Sequence, residues 1–261
     1  MSPIVVAQIS DLHVVRAGER LYGRIDTGER LRRCVDAIAR LPVTPDALVA
    51  SGDLVNEGTA EEYALLRALL APLSVPLFPL AGNHDERAAL RAAFPEHRDL
   101  LAGERLYYAI EVGGLRLIML DTVVTGEDRG ALDAAQLAWL ERELARHEGP
   151  ALIFMHHPPC PTGIPYMDAI RLDPADASKL AVIVARFPQV QRISCGHVHR
   201  AIVTRWGGTA VGVCPSSAFQ YRADPRIDAV PVVTDEQPAY QLHLWDGAAL
   251  VTHTLQITAA E

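Results

Sequence analysis

Short apolar runs that stop abruptly at a polar residue recur along the first two-thirds of this 261-residue chain. Ile4–Ile9, Ala47–Ala50, Leu77–Leu80, Leu115–Leu120 and Ala151–Met155 are too short for helices and read as strands, with Arg192–Ser194 as a further short one. Between them the apolar period lengthens. Glu29–Leu41 places Leu31, Val35, Ile38 and Ala39 on one helical face. Thr59–Leu70 opens with Thr59-x-x-Glu62, the spacing of a capping box, and continues with Leu65, Leu66, Leu69 and Leu70. Leu132–Arg146, with Asp133 near its start, and Asp176–Arg186 also read as helices. Tyr107–Val112 and Leu115–Leu120 flank Gly113-Gly114 and predict a hairpin. After the last helix only strands are expected: Ala201–Trp206, Thr209–Val213, Gln241–Trp245 and Leu250–Thr254, with turns at Gly207-Gly208 and Asp246-Gly247. Alternating β and α units followed by hairpins predict an α/β fold whose sheets are covered by helices, with ligands at strand ends. The chain reads as a single domain, 1–261, with a core over 1–214 and strands over 215–261. Residues 222–239 hold three prolines and four acidic residues without periodicity, a surface excursion or lid rather than a domain linker.

Composition narrows the setting. With 49% apolar and 21% charged residues, the chain is an ordinary soluble one. No apolar stretch approaches the roughly 20 residues that span a bilayer. No Lys or Arg precedes the first apolar run and Asp11 cuts it short, so Met1–Ser10 reads as a strand rather than a signal peptide. Cys34, Cys160, Cys195 and Cys214 form no CxxC pair, which makes free thiols and a cytoplasmic location the simplest expectation. The net charge of −8 and the dispersed arginines argue against a nucleic-acid polymer as partner, since no basic stripe exists to neutralise its phosphates.

Five segments at or near the ends of these runs carry the chemistry: Asp11-Leu12-His13, Gly52-Asp53, Gly82-Asn83-His84-Asp85, His156-His157 and Gly196-His197-Val198-His199. In extended backbone Asp11 and His13 share a face and can reach one ion. Asp53, with two carboxylate oxygens, suits a bridge between two cations. Asn83 offers a weaker neutral oxygen where a metal must exchange ligands or meet substrate. Adjacent strand residues face opposite ways, so one of His156 and His157 is expected to be a ligand; His156 is chosen and His157 is given a structural role. His197 and His199 sit in a turn and can address different ions. Each segment alone also fits an ordinary turn or helix cap. Five in one chain do not.

In these motifs, in order from Ile9 to His199, the sequence resembles the calcineurin-like metallophosphoesterases. Within them it is similar to class III cyclic-nucleotide phosphodiesterases and bacterial glycerophosphodiesterases. The second likeness is carried by Glu19-Arg20-Leu21-Tyr22-Gly23 and Ile153-Phe154-Met155-His156-His157-Pro158-Pro159. The resemblance implies an αββα sandwich of two mixed sheets and a dinuclear centre. It implies Asp11, His13 and His199 on one metal, Asn83, His156 and His197 on the other, Asp53 bridging, and His84 at the substrate phosphate or leaving group. Two divalent ions outweigh Asp11, Asp53 and a shared hydroxide, leaving a positive site suited to a phosphodiester monoanion. The ligand types fit Mn, Fe, Co or Zn better than Ca without choosing among the four; Mn or Fe is the expected pair, with Zn or Co the alternatives.

Protein Ser/Thr phosphatases of that superfamily carry an Arg soon after Gly-Asp and end the Gly-Asn-His motif with Glu. Here Glu57 stands near Gly52-Asp53, and Asp85 ends the other motif. Both departures favour a diester over a phosphoprotein. 3′,5′-cyclic AMP is the leading candidate, with Phe219 as a stacking surface for its base, and glycerophosphodiesters come next, a broader phosphodiesterase/phosphomonoesterase being the wider alternative. Tyr22 and Phe219, in Pro215–Gln220, are the expected pocket residues. Homo-oligomerisation is an expectation from the resemblance alone. A metal-free scaffold of the same fold is the non-enzymatic alternative, disfavoured because none of the seven ligand positions is substituted.

Overall fold

The computed structural model describes residues 3–98 and 101–258. Strand β1 (Ile4–Ile9) leads to α1 (Thr27–Ala39), β2 (Ala47–Ser51), α2 (Ala60–Leu70), β3 (Leu77–Leu80) and α3 (Arg87–Ala93). The hairpin β4 (Tyr108–Val112) and β5 (Leu115–Leu120) is followed by α4 (Ala134–Arg146), β6 (Ala151–Met155), α5 (Pro165–Asp168), α6 (Pro174–Ala185) and β7 (Val190–Cys195). Then come β8 (Ile202–Trp206), β9 (Thr209–Val213), β10 (Gln220–Tyr221), β11 (Val233–Thr234), β12 (Ala239–Trp245) and β13 (Leu250–Gln256).

Caps fix where the helices begin. α1 starts ahead of its apolar period because Asp26 Oδ1 accepts the Glu29 N–H at 2.8 Å. The predicted box closes α2: Thr59 Oγ1 takes the Glu62 N–H and Glu62 Oε2 takes the Thr59 N–H. Asp133 caps α4 through the Gln136 N–H, and Asp173 with Pro174 starts α6. The periodicity gave no sign of α3 and α5, which are too short to repeat a face, nor of β10 and β11, which pair within the 222–239 neighbourhood. No helix among the described residues is long and apolar enough to cross a membrane.

Two sheets result, β13-β12-β1-β2-β3 and β4-β5-β6-β7-β9-β8. β1, β2 and β3 run parallel in the first; β5, β6, β7 and β9 run parallel in the second. Alternate residues of the central strands serve different layers. Leu117, Met119, Leu152 and Phe154 join the cluster shared with the first sheet, while Ile118, Leu120, Ile153 and Met155 pack with Leu140 of α4 and Leu180 of α6. Leu31, Val35 and Ile38 of α1 and Leu66 of α2 belong to the first cluster. The arrangement is the expected αββα sandwich.

A buried amide ties the sheets together beside the strand ends. Gln8 Nε2 donates to Ser51 Oγ at 2.8 Å and to the Cys195 carbonyl at 3.3 Å. Its Oε1 accepts from Ser194 Oγ at 2.7 Å and from His243 Nε2 at 3.0 Å, and His243 Nδ1 meets Thr252 Oγ1 at 2.9 Å. Gln8→Leu strips the partners from several buried polar groups, each worth about 1–3 kcal/mol when orphaned. The expected outcome is a loss of about 2–4 kcal/mol, read as a lower urea midpoint at unchanged slope.

Candidate dimetal site

The carboxyl ends of the parallel strands of both sheets meet at one edge of the sandwich, where ligands gather in open α/β sheets. The loops there are bent sharply inward. Asp11, His13, Asp53, His197 and His199 all have φ between 43° and 72°, a region that costs a non-glycine residue about 1–2 kcal/mol. The shared face expected of an extended Asp11-x-His13 does not occur: β1 ends at Ile9, and both residues turn as left-handed ones. Backbone bonds hold them there, with Asp11 N–H on Gly52 O at 3.0 Å and His13 N–H on Asp53 O at 2.9 Å. Two glycines permit the crowding. A Cβ on Gly82 would lie 2.2 Å from Asp53 Oδ1, and one on Gly52 would lie 2.3 Å from His156 Nδ1.

Backbone carbonyls set the imidazole tautomers. A carbonyl only accepts, so His156 Nδ1 donates to Ser51 O at 2.9 Å and His199 Nδ1 donates to Phe219 O at 3.0 Å. His84 Nδ1 likewise donates to Asn56 O at 2.8 Å. Each Nε2 lone pair is thereby aimed away from the protein backbone, the arrangement in which imidazole binds a metal. His199 Nε2 lies 3.1 Å from His13 Nε2 and 3.4 Å from Asp11 Oδ1. His156 Nε2 lies 3.2 Å from Asn83 Oδ1, which is 3.1 Å from His197 Nδ1. Asp53 stands between: its Oδ2 is 3.6 Å from His13 Nε2 and 3.3 Å from His156 Nε2, while its Oδ1 takes the His84 N–H at 2.9 Å.

The two donor sets fit two cations. Asp11, Asp53, His13 and His199 offer atoms that all lie within 4.8 Å of one another, and Asp53, Asn83, His156 and His197 surround a second position. His13 Nε2 and His199 Nε2, 3.1 Å apart, need a shared proton or a cation between them, and buried His13 Nδ1 and His197 Nε2 find no protein partner. His157 is a different case, although its nitrogens lie near those of His156 and His197. Its Nε2 donates to Asp128 O at 3.0 Å, so its Nδ1 lone pair is taken by the Thr122 hydroxyl at 2.7 Å. Nothing is left for a metal. Asp85 is buried too, accepting from Leu54 N, Gly82 N and Tyr63 Oη, and so shapes the loop rather than the donor set.

Burial dominates the electrostatics. It alone would raise Asp53, but His156, His84 and His13 hold its carboxyl well below the usual range. Burial pushes Asp11 up to about 7 against the pull of His156. Burial pushes His13 down to about 4, and His197 and His199 also lie well below an ordinary imidazole. His156 goes the other way: burial opposes its charge, yet Asp53 and Asp11 carry it up to about 9.

On the open side His84 is exposed and Asn83 half-buried. Tyr22 is 60% exposed, with its hydroxyl 3.2 Å from that of Tyr221. Phe219 is only 3% exposed: its ring packs on His199 at 4.4 Å and His13 at 5.5 Å between centroids. Tyr22 thus presents exposed aromatic surface behind Phe219, 5.8 Å away, while half-buried Tyr221 packs on His199 at 4.9 Å. Thr122, Asn56 and Phe219 O, which orient the imidazoles, were not singled out from sequence for that role. Asp121-Thr122 does follow an apolar strand, the same signal that marked the other motifs, whereas a carbonyl leaves no trace in residue identity.

The calcineurin-like phosphoesterase family model matches residues 4–201. The chain belongs to that family. A protein of Arcobacter nitrofigilis named "Probable glycerophosphodiester phosphodiesterase GpdQ" is 34% identical over 256 residues, 97% of this chain and 93% of that protein. The 3′,5′-cyclic adenosine monophosphate phosphodiesterase CpdA of Pseudomonas aeruginosa is 34% identical over 220 residues, 84% of this chain and 78% of that one. Among solved structures, a dimetal phosphatase from Danio rerio superposes with a TM-score of 0.74 at 17% identity, covering 98% of this chain and 97% of the other, a likeness of fold.

Two outcomes follow for this calcineurin-like phosphoesterase. Gly82→Ala forces Asp53 aside and should abolish tight binding of both cations while the helices remain, seen by elemental analysis beside far-UV circular dichroism. In the metal-free protein His156 and much of Asp11 hold protons at pH 7, because their values lie near 9 and 7. A cation must displace those protons, so affinity should rise with pH and level off above about 9. Calorimetry of Mn²⁺ uptake in buffers of different ionisation enthalpy reads the released protons; uptake without release at pH 7 contradicts the assignment.

Proposed function

We propose that this chain is a metal-dependent phosphodiesterase of small diesters, with 3′,5′-cyclic AMP its leading substrate and glycerophosphodiesters next. The observation that carries the reading is Asp53, buried between two imidazole clusters whose lone pairs converge, with His84 exposed above them. Asp11, His13, His199 and Asp53 would hold one cation, and Asn83, His156, His197 and Asp53 the other. Mn or Fe suits these oxygen and imidazole donors best, with Zn or Co accommodated. Two divalent ions there would acidify water and polarise the phosphate oxygens.

The chain's own residues supply the rest. Asn56 O holds the His84 Nδ1–H, so Nε2 is the atom that meets the phosphate and, when protonated, gives its proton to the leaving alkoxide. Asn83 contributes a neutral oxygen and adds no repulsion against an incoming anion. Glu57 is exposed close by and bonded to Asn56 Nδ2, so an acid stands where a phosphomonoester dianion would need a cation. That favours a monoanionic diester. Tyr22 would form the pocket wall and Phe219 would back His13 and His199. The naming of relatives as cyclic AMP and glycerophosphodiester phosphodiesterases supports both substrate classes.

The test compares kcat/KM for cyclic AMP, glycerophosphoethanolamine and p-nitrophenyl phosphate at saturating Mn²⁺. Cyclic AMP should lead; a preference for the monoester would sink the diester reading, and a lead for the glycerophosphodiester would exchange the substrate within it. His84→Ala should lower kcat at least about 100-fold with metal content unchanged. Loss of metal in that variant would reassign His84 as a ligand.

A further inference from the structure

Asp121 closes β5 and is 1% exposed. Its carboxylate accepts four bonds: Arg87 Nε at 2.7 Å, Arg87 Nη2 at 2.8 Å, Leu106 N at 2.7 Å and Val123 N at 3.0 Å. Its backbone is clamped on both sides by the Gln136 amide, at 2.7 and 2.9 Å. Arg87 is the first residue of α3 and follows directly on the loop that carries Asn83 and His84; its guanidinium also donates to Val123 O at 2.7 Å. Thr122, next in the chain, accepts the His157 N–H at 3.3 Å and donates to His157 Nδ1 at 2.7 Å, beside His156. Two consecutive residues at one strand end thus brace the loops of Asn83 and His156.

The other donor set rests on a different brace. Ser216 Oγ donates to Asp11 O at 2.7 Å and accepts the Phe219 N–H at 3.1 Å, and Phe219 O fixes His199. The sets also differ in charge. One has Asp11 besides the shared Asp53; the other has the shared carboxylate and three neutral ligands. With less charge to draw its cation in, the second position depends more on how well its ligands are held in place.

We propose that the bidentate Arg87–Asp121 pair is a positioning device for the Asn83/His156/His197 cation alone, an inference that rests on the dimetal reading above. Breaking the pair frees the start of α3, lets the Asn83 loop drift, and weakens the second cation while the first stays bound. The Arg87 side chain is only 17% exposed, and Met in its place keeps the volume of its aliphatic stem, so Arg87→Met removes the fork with little loss of packing.

The experiment is equilibrium dialysis of the purified protein against a series of free Mn²⁺ concentrations, with elemental analysis and electron paramagnetic resonance of the same samples. Wild type should hold two ions and show a spin-coupled pair. Arg87→Met should hold one ion, uncoupled, where wild type holds two, and need about 10- to 100-fold more Mn²⁺ to fill the second position. At that higher Mn²⁺ its kcat should recover with the substrate KM unchanged. Arg87→Lys, which keeps the charge but loses the fork, should fall between, and Asp121→Asn should match Arg87→Met if it folds. Fewer than two ions in the wild type overturns the dimetal reading and this inference with it. Two ions in the wild type and equally tight binding in the Arg87 variants overturns this inference alone, as does the parallel loss of both ions.

Discussion

Asp53 is the group that the rest of this structure has to accommodate. A carboxylate 2% exposed and kept ionised by imidazoles is costly to place in a protein interior. It stands within 3.6 Å of a ring nitrogen from each sheet's side, His13 after β1 and His156 after β6. Nothing apolar can stabilise that arrangement. Without metal its charge is met by His156, whose Nε2 is 3.3 Å away, and by the His84 N–H. A pair of cations held by these donors would replace those partners, and the protein's part is to keep the donors from relaxing apart. Left-handed backbone at five candidate ligands, glycine at Gly52 and Gly82, and the carbonyls that fix His156 and His199 all serve that end.

The sandwich distributes that task over its two layers. β1 and β2 bring Asp11, His13 and Asp53 from one sheet; β6 and β7 bring His156, His197 and His199 from the other. Relative sliding of the sheets would therefore pull the donor sets apart directly. Gln8 resists such sliding, because its amide bonds to Ser51 in its own sheet and to Ser194 and Cys195 O in the opposite one. The His197 N–H, on Asp11 Oδ1 at 2.9 Å, crosses the same gap within the site itself. A polar contact between sheets, unusual in a core otherwise built from Leu, Ile and Val, is thus placed where register matters most.

Strand ends were legible because an apolar run that stops at Asp, Asn or His is a pattern in residue identity. That pattern brings Asp53, Asn83 and His156 forward as candidates, while the cation each would hold follows only from the family resemblance. Asp11 and His13 carry the same signal, but left-handed turns rather than a shared face of extended chain bring them together. Periodicity found α1, α2, α4 and α6 but not α3, since seven residues with one buried position show no repeating face. The braces were hidden for another reason. Ser51, Asn56 and Phe219 act through carbonyls, which every residue has. The Arg87–Asp121 pair joins positions 34 residues apart, a contact that only the fold creates.

The open rim obeys different physics from the buried centre. Below, every candidate donor but Asn83 is constrained by a bond to or from the backbone, so the chemistry tolerates little variation. Above, Glu57 and His84 are exposed, and on the proposed reading they answer to the substrate's charge and leaving group rather than to packing. Tyr22 belongs to this rim yet is not loosely held. Its φ is 51°, Leu21 and Ile25 bridge around it, and its hydroxyl meets Tyr221. Strain at an exposed aromatic brings no gain in stability, since a residue there could relax into solvent at no loss of buried area. Strain persists where the surroundings over-determine a position, and such positions cluster at ligand-contacting sites. The same backbone signature that marks the candidate ligands thus recurs at an exposed aromatic ring that packs on Phe219 at 5.8 Å, which favours a wall for the substrate over an incidental surface side chain.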